Sequence, residues 1–136
     1  MIGLDTNVLI RFLTQDDAGQ GALASALMAE LTDAAPGFVC REVMVELVWV
    51  MERAYGLPRD AICAALNGLL ESRELVVEAA DRVAVAVDRY RQGGAGFADQ
   101  MIALAGQAAG CDRVATFDRK AALLPGMKLV ASSLGQ

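Results

Sequence analysis

The feature that most limits the fold of this chain is an alternation. Apolar runs too short to be helices are separated by stretches too long to be strands. Met1–Leu4, Phe38–Cys40, Leu75–Val77, Val114–Thr116 and Leu129–Val130 are the short runs, and each predicts a strand. Between them, Val8–Leu13, the stretch opened by Asp16-Asp17 and ending at Leu31, Arg41–Tyr55, Asp60–Leu70, Asp81–Arg91 and Phe97–Ala109 predict helices, with a further short segment over Lys120–Leu124. Asp5-Thr6-Asn7, Asp16-Asp17 and Asp81 supply helix caps, while Gly56 with Pro58, Gly93-Gly94 and Gly110 supply stops. No two-residue hairpin turn joins neighbouring strands, so the strands must pair through helical crossovers. The pattern therefore predicts an α/β fold with a short-stranded, mostly parallel central sheet flanked by helices on both faces. Right-handed crossovers place the C-terminal ends of the strands along one edge, where ligands bind near the reversal of strand order.

At 136 residues the chain is read as a single domain over 1–136, and 55% hydrophobic against 21% charged residues excludes disorder. No apolar run reaches the roughly 18 residues of a membrane span, and Met1-Ile2-Gly3-Leu4-Asp5 has no basic, signal-like start. A cytoplasmic location and no membrane partner are the expectations. Cys40, Cys63 and Cys111 are scattered and read as free thiols. Histidine is absent, which removes imidazole acid–base chemistry, the Ser-His-Asp and Cys-His devices and nearly every zinc site. Chemistry here has to rest on carboxylates, hydroxyls, Arg, Lys or a metal held by oxygen. The net charge of −5 argues against bulk attraction to nucleic acid, although ten of the twelve basic residues are Arg, the better phosphate partner.

Four acids stand where such chemistry would sit. Asp5 follows the first strand directly, and Asp118 follows Val114–Thr116 by two residues; both are expected on the ligand-binding edge. Each also has a plain reading, Asp5 as a helix N-cap and Asp118 as a turn residue or cap. Asp99 lies among Ala98, Ile102, Ala103 and Gly106, where a carboxylate is costly to bury unpaired. The alternative is a solvated first-turn acid favoured by the helix dipole. Glu46 shares a helix face with Glu42 and Arg53, as a solvated stripe would, yet Glu42 and Glu46 form an i,i+4 like-charge pair with no local cation. Converging carboxylates repel unless a cation screens them. Without His or paired Cys the donor set selects Mg²⁺ or Mn²⁺, the usual ions of phosphodiester chemistry.

Four segments, in order, resemble PIN-domain proteins: Gly3-Leu4-Asp5-Thr6-Asn7-Val8-Leu9, Val45-Glu46-Leu47, Phe97-Ala98-Asp99-Gln100-Met101-Ile102-Ala103 and Thr116-Phe117-Asp118-Arg119-Lys120. Their order, spacing and total length look like the VapC toxins of bacterial type II toxin–antitoxin pairs. The resemblance implies a PIN-like α/β/α sandwich and an Mg²⁺- or Mn²⁺-dependent endoribonuclease that cleaves structured RNA, often transfer RNA, with a metal-activated water. It also implies a homodimer and inhibition by a cognate VapB-type antitoxin. On these positions it implies Asp5, Glu46, Asp99 and Asp118 as catalytic acids and Asp5, Asp99 and Asp118 as metal ligands. Thr6, Asn7 and Thr116 would orient them. Arg11, Arg41, Arg119 and Lys120 flank the motifs and are candidate RNA contacts. Relatives often carry a further acid where this chain has Gly96; the resemblance then implies either one ion held more weakly or a single ion, and the alternative is that Gly96 is simply a helix-entry residue.

Two other readings compete. One is a non-catalytic PIN-like module that binds RNA or protein. The other is a doubly wound nucleotide-binding domain, against which Asp5-Thr6-Asn7 stands where a Gly-rich phosphate loop belongs. The apolar helices, Gly21–Leu31 among them, exceed what one core absorbs and predict a protein interface.

Overall fold

Three of the short apolar runs pair as expected. In the computed structural model, which describes residues 1–131, β1 (Ile2–Gly3), β2 (Gly37–Val39) and β3 (Leu75–Val77) form one sheet in that order, with both pairs parallel. Helices α1 (Thr6–Thr14) and α2 (Ala18–Glu30) separate β1 from β2, and α3 (Arg41–Arg53) and α4 (Arg59–Glu71) separate β2 from β3. α5 (Ala80–Arg91) and α6 (Phe97–Ala109) follow. β4 (Val114–Thr116), a single 3-10 turn (Ala121–Leu123) and β5 (Met127–Leu129) complete the described chain. The result is a helix-rich α/β fold whose short parallel sheet is flanked by helices.

The register puts Gly37 beside Leu75 and Val39 beside Val77, all four buried, so this face of the sheet meets the core. The alternate positions Gly3, Phe38 and Val76 lie on the other face, which is more open; Val76 is 43% exposed. The main core is helical, built on Leu9, Met44, Leu47, Ile62, Leu66 and Val83, each fully buried. Cys40, Cys63 and Cys111 are free thiols, and burial pushes that of Cys63 up.

Three details differ from the sequence reading. The fifth strand is Met127–Leu129 rather than Leu129–Val130, because Gly126 turns the chain (φ 83°) and its carbonyl already accepts the Val114 N–H at 2.7 Å. β4 and β5 form their own parallel two-stranded sheet, not hydrogen-bonded to the other three strands. Asp81 is not the cap of α5: Ala79 takes that place in a left-handed conformation (φ 53°), and Asp81 lies in the first turn. The cause is Glu78, whose N–H extends the ladder to Val39 O at 2.9 Å and leaves the reversal to the next residue.

The β4–β5 lobe has a small core of its own, Ala103 of α6 with Ala121 and Met127. It sits tightly on α6. A Cβ added to Gly106 would stand 2.2 Å from Cγ2 of Val114, so only glycine allows the helix to approach this strand.

Candidate active site

The parallel sheet brings the residues after β1, β2 and β3 to one edge. Asp5 follows β1 and occupies the N-cap position of α1, but its carboxylate makes no capping hydrogen bond. The simplest structural use for an acid there is thus not taken up. Thr6, 3% exposed, begins α1, and its hydroxyl donates to the Glu46 carboxylate of α3. That bond joins the first helix to the third and fixes Glu46 beside the edge on which Asp5 stands.

It also accounts for the like-charge pair on α3. Glu46 is held by Thr6, whereas Glu42 stays at the start of its helix. There its own backbone N–H and the Cys40 thiol hold its carboxyl below the usual carboxylate range. Two acids one turn apart are tolerated because each has a different donor.

Glu78, directly after β3, is a site residue that the sequence pattern alone does not single out. Its carboxylate accepts the Arg41 N–H at 2.9 Å and lies 3.4 Å from Arg41 Nε, so it caps α3 from the neighbouring strand end. The available signal was the one used for Asp5, an acid immediately after an apolar run. Arg41 is accordingly engaged in an ion pair.

From this edge a groove of about 570 Å³ runs between α3 and α6, lined by Glu46, Val45 and Trp49 on one side and Ala98, Met101 and Ile102 on the other. Asp99 lies in the first turn of α6, half-buried, beside the N-cap residue Gly96. Gly96 has an extended backbone (φ −71°, ψ 167°) open to any residue, and a Cβ there would meet Asp99 Oδ2 at an ordinary 3.7 Å. The position could hold an acid without strain.

The entry to α6, the helix that carries Asp99, is held by a residue that sequence patterning does not reveal. Arg59 of α4 donates to the carbonyls of Tyr90 (2.8 Å), Gly94 (2.9 Å) and Ala95 (3.2 Å), and its guanidinium lies 4.4 Å over the Tyr90 ring. It thereby closes the end of α5 and the loop into α6. Tyr90 meets Phe97 edge to face at 5.9 Å and donates to Glu52 at 2.8 Å. Burial and the Glu52 carboxylate raise the Tyr90 pKa well above the usual tyrosine range.

Asp118 belongs to the β4–β5 lobe and serves its own turn. Its Oδ1 accepts the N–H groups of Lys120 (2.8 Å) and Ala121 (3.0 Å), and its own N–H donates to Thr116 Oγ1 at 3.0 Å. The capping reading holds for this oxygen, and Oδ2 carries no such bond. Asn7 lines a separate groove between α1 and α2, together with Arg11. Arg11 is tied to Asp16 at 3.1 Å and to Gln20 at 2.7 Å. Arg119 and Lys120 are exposed.

The structure thus brings Asp5, Thr6 and Glu46 together, puts Asp99 on the helix across the groove, and holds Thr116 and Asp118 in the adjoining lobe. Among the described residues no three acidic or cysteine side chains surround a single point as a ready-made metal cage. Unscreened carboxylates do not crowd together on their own.

No curated protein sequence matches the chain significantly. The family model described as PIN domain matches residues 2–126, from β1 through the turn that precedes β5. With that match and an acid-bearing edge on a parallel α/β sheet, the chain belongs to the PIN-domain family, whose members are generally nucleases.

Proposed function

We propose that the chain is an Mg²⁺- or Mn²⁺-dependent endoribonuclease and the toxin of a type II toxin–antitoxin pair, with structured RNA such as transfer RNA as its substrate. The observation that carries this reading is the state of Asp5. It is an acid at the C-terminal end of a parallel strand, released from capping, next to a buried Thr6 that secures a second acid, Glu46.

The donors fit a hard divalent cation. They are carboxylates without imidazole, and Mg²⁺ is commonly held by one or two carboxylates with water completing its shell, so the acids need not close into a cage. Asp5 and Asp99, whose carboxylates accept no hydrogen bond among the described residues, would hold the ion, with Asp118 offering its second oxygen. A bound ion would stabilise the negative charge that develops on a phosphodiester during cleavage. Glu46, anchored by Thr6, completes the acidic wall. Thr116 fixes the backbone of Asp118. Arg119 and Lys120 are open to phosphate, whereas Arg11 and Arg41 are occupied by Asp16 and Glu78.

The reading includes two protein contacts, a second copy of the chain and a VapB-type antitoxin. Trp49 (58% exposed) and Ile102 (51%) along the α3–α6 groove, and Leu23 (72%) on α2, support surfaces of that kind.

The test is cleavage of defined RNAs with Mg²⁺ or Mn²⁺ by the wild type, Asp5→Asn and Asp99→Asn. Both variants are expected to fold normally and to lose cleavage. If the wild type cuts nothing that the variants spare, while still binding RNA, the chain is a PIN module that binds without catalysing.

A further inference from the structure

The β4–β5 lobe reverses the charge of the protein. Residues 113–136 contain four basic side chains, Arg113, Arg119, Lys120 and Lys128, against the single acid Asp118, a net of +3. Residues 1–112 contain eight basic and sixteen acidic side chains, a net of −8. All four basic residues of the lobe are exposed, and none pairs with a carboxylate among the described residues, where the ion pairs are Arg11–Asp16 and Arg41–Glu78.

Within this cationic surface stands Phe117, 81% exposed, between Thr116 and Asp118. The other three phenylalanines are buried or half-buried. An aromatic ring left in water forgoes the burial energy that is its main contribution to a fold. The ring is not on a slack loop. Thr116 accepts the Asp118 N–H, and Asp118 accepts those of Lys120 and Ala121, so the backbone is fixed on both sides of Phe117 and Arg119.

We infer that Phe117, Arg119 and Lys120 form a landing platform for single-stranded RNA. An unstacked base lies on the Phe117 ring, and the flanking phosphates are taken by the two cations, which brings the backbone beside Asp118. An exposed aromatic flanked along the chain by unpaired cations suits a polyanion that carries its own π-surfaces, while Leu123, Leu129 and Val130, exposed in the same lobe, make a protein contact the outcome the test has to separate from it. A duplex keeps its base faces stacked inside, so the platform selects loops and unpaired segments. The inference takes its ligand class from the RNA-cleaving reading, but its place from this patch.

The experiment titrates the full chain, without divalent metal, with a short oligouridine carrying one 2-aminopurine, and in parallel with a blunt RNA duplex. The wild type is expected to bind the single strand more tightly than the duplex and to change the 2-aminopurine fluorescence. Phe117→Ala should weaken single-strand binding by roughly 5- to 150-fold with unchanged thermal stability, and Phe117→Trp should restore both binding and the fluorescence change. Arg119→Ala and Lys120→Ala should each reduce the slope of log affinity against log salt by about 0.7.

Unchanged binding by Phe117→Ala overturns the platform, as does equal binding of the duplex. So does an effect of Phe117→Ala on self-association alone, which would make the patch a protein contact. Phe117-dependent binding without metal-dependent cleavage would leave the platform standing and remove the nuclease. Cleavage whose kcat/KM ignores Phe117 would do the reverse.

Discussion

Gly106→Ala tests whether the seat of β4 on α6 is as tight as the geometry requires. The added methyl carbon would lie 2.2 Å from Val114 Cγ2 and 3.7 Å from Val114 Cβ. Carbon atoms in contact sit about 3.5–4.0 Å apart, so the shortfall at Cγ2 exceeds about 1 Å. Val114 is β-branched and stiff at χ1, and its backbone is held by Gly126 O at 2.7 Å and by pairing with Met127. It cannot step aside as a long flexible side chain would. Overpacking of this kind costs about 1–3 kcal/mol, and replacing Gly by Ala inside a helix returns about 1 kcal/mol. The net expectation is a loss of about 1 kcal/mol, followed by urea denaturation of the wild type, both single variants and Gly106→Ala/Val114→Ala. Removing the Val114 methyls should relieve the clash, so the cycle should show a favourable coupling of about 1–3 kcal/mol. If Gly106→Ala is stabilising by its full helix propensity and the cycle is additive within about 0.5 kcal/mol, the argument for a tight seat is refuted. Since Asp118 hangs from β4, RNA binding at the lobe should follow the same pattern across the four proteins.

Thr6→Val keeps the shape of a buried side chain but removes the donor to Glu46. Stability should fall by about 1.5–3 kcal/mol, the range for a hydrogen bond to a charged group, as read by denaturant midpoint, with little further loss when Glu46→Ala is added. Arg59→Ala removes three bonds to the carbonyls that end α5. A loss of about 2–4 kcal/mol, with faster amide exchange over Gly94–Phe97, would show that Arg59 sets the entry to α6, and Arg59→Lys should rescue it poorly because it lacks the planar fork. Asp16 accepts bonds from the Thr14 and Tyr55 hydroxyls and lies beside Arg11, which lowers its pKa from 3.8 to about 2. A group lowered in the folded state contributes above its ordinary value, and that contribution fades as the pH falls from about 4 toward 2. Acid titration of stability should therefore be shallower for Asp16→Asn across that window. Gly96→Asp fits without backbone strain, puts an acid beside Asp99 and should tighten Mn²⁺ binding measured by titration calorimetry.

The elements were legible because each answers to local chemistry. The Phe97–Ala109 helix begins and ends where Gly96 and Gly110 dictate, and four of the five apolar runs became strands within a residue or two of their expected bounds because they are too short for helices. The order of acids along the chain was legible too, through the motifs that resemble PIN-domain proteins. Local reading failed where a distant partner decides. The cap of α3 is Glu78 from another strand end, and Arg59 reaches across thirty-one residues to Tyr90. The Glu42–Glu46 repulsion is settled by a hydroxyl forty residues away in the chain.

By itself the sequence determined the order of helices and strands, the parallel pairing of β1 to β3 and the absence of imidazole chemistry, since these follow from apolar periodicity, crossover length and residue inventory. Only the tertiary structure decided which acids are free. It left Asp5 uncapped, bound Glu46 to Thr6 and turned one oxygen of Asp118 onto its own loop. A carboxylate's availability depends on which donors the fold brings within hydrogen-bond reach, and no pattern along one chain contains those distances.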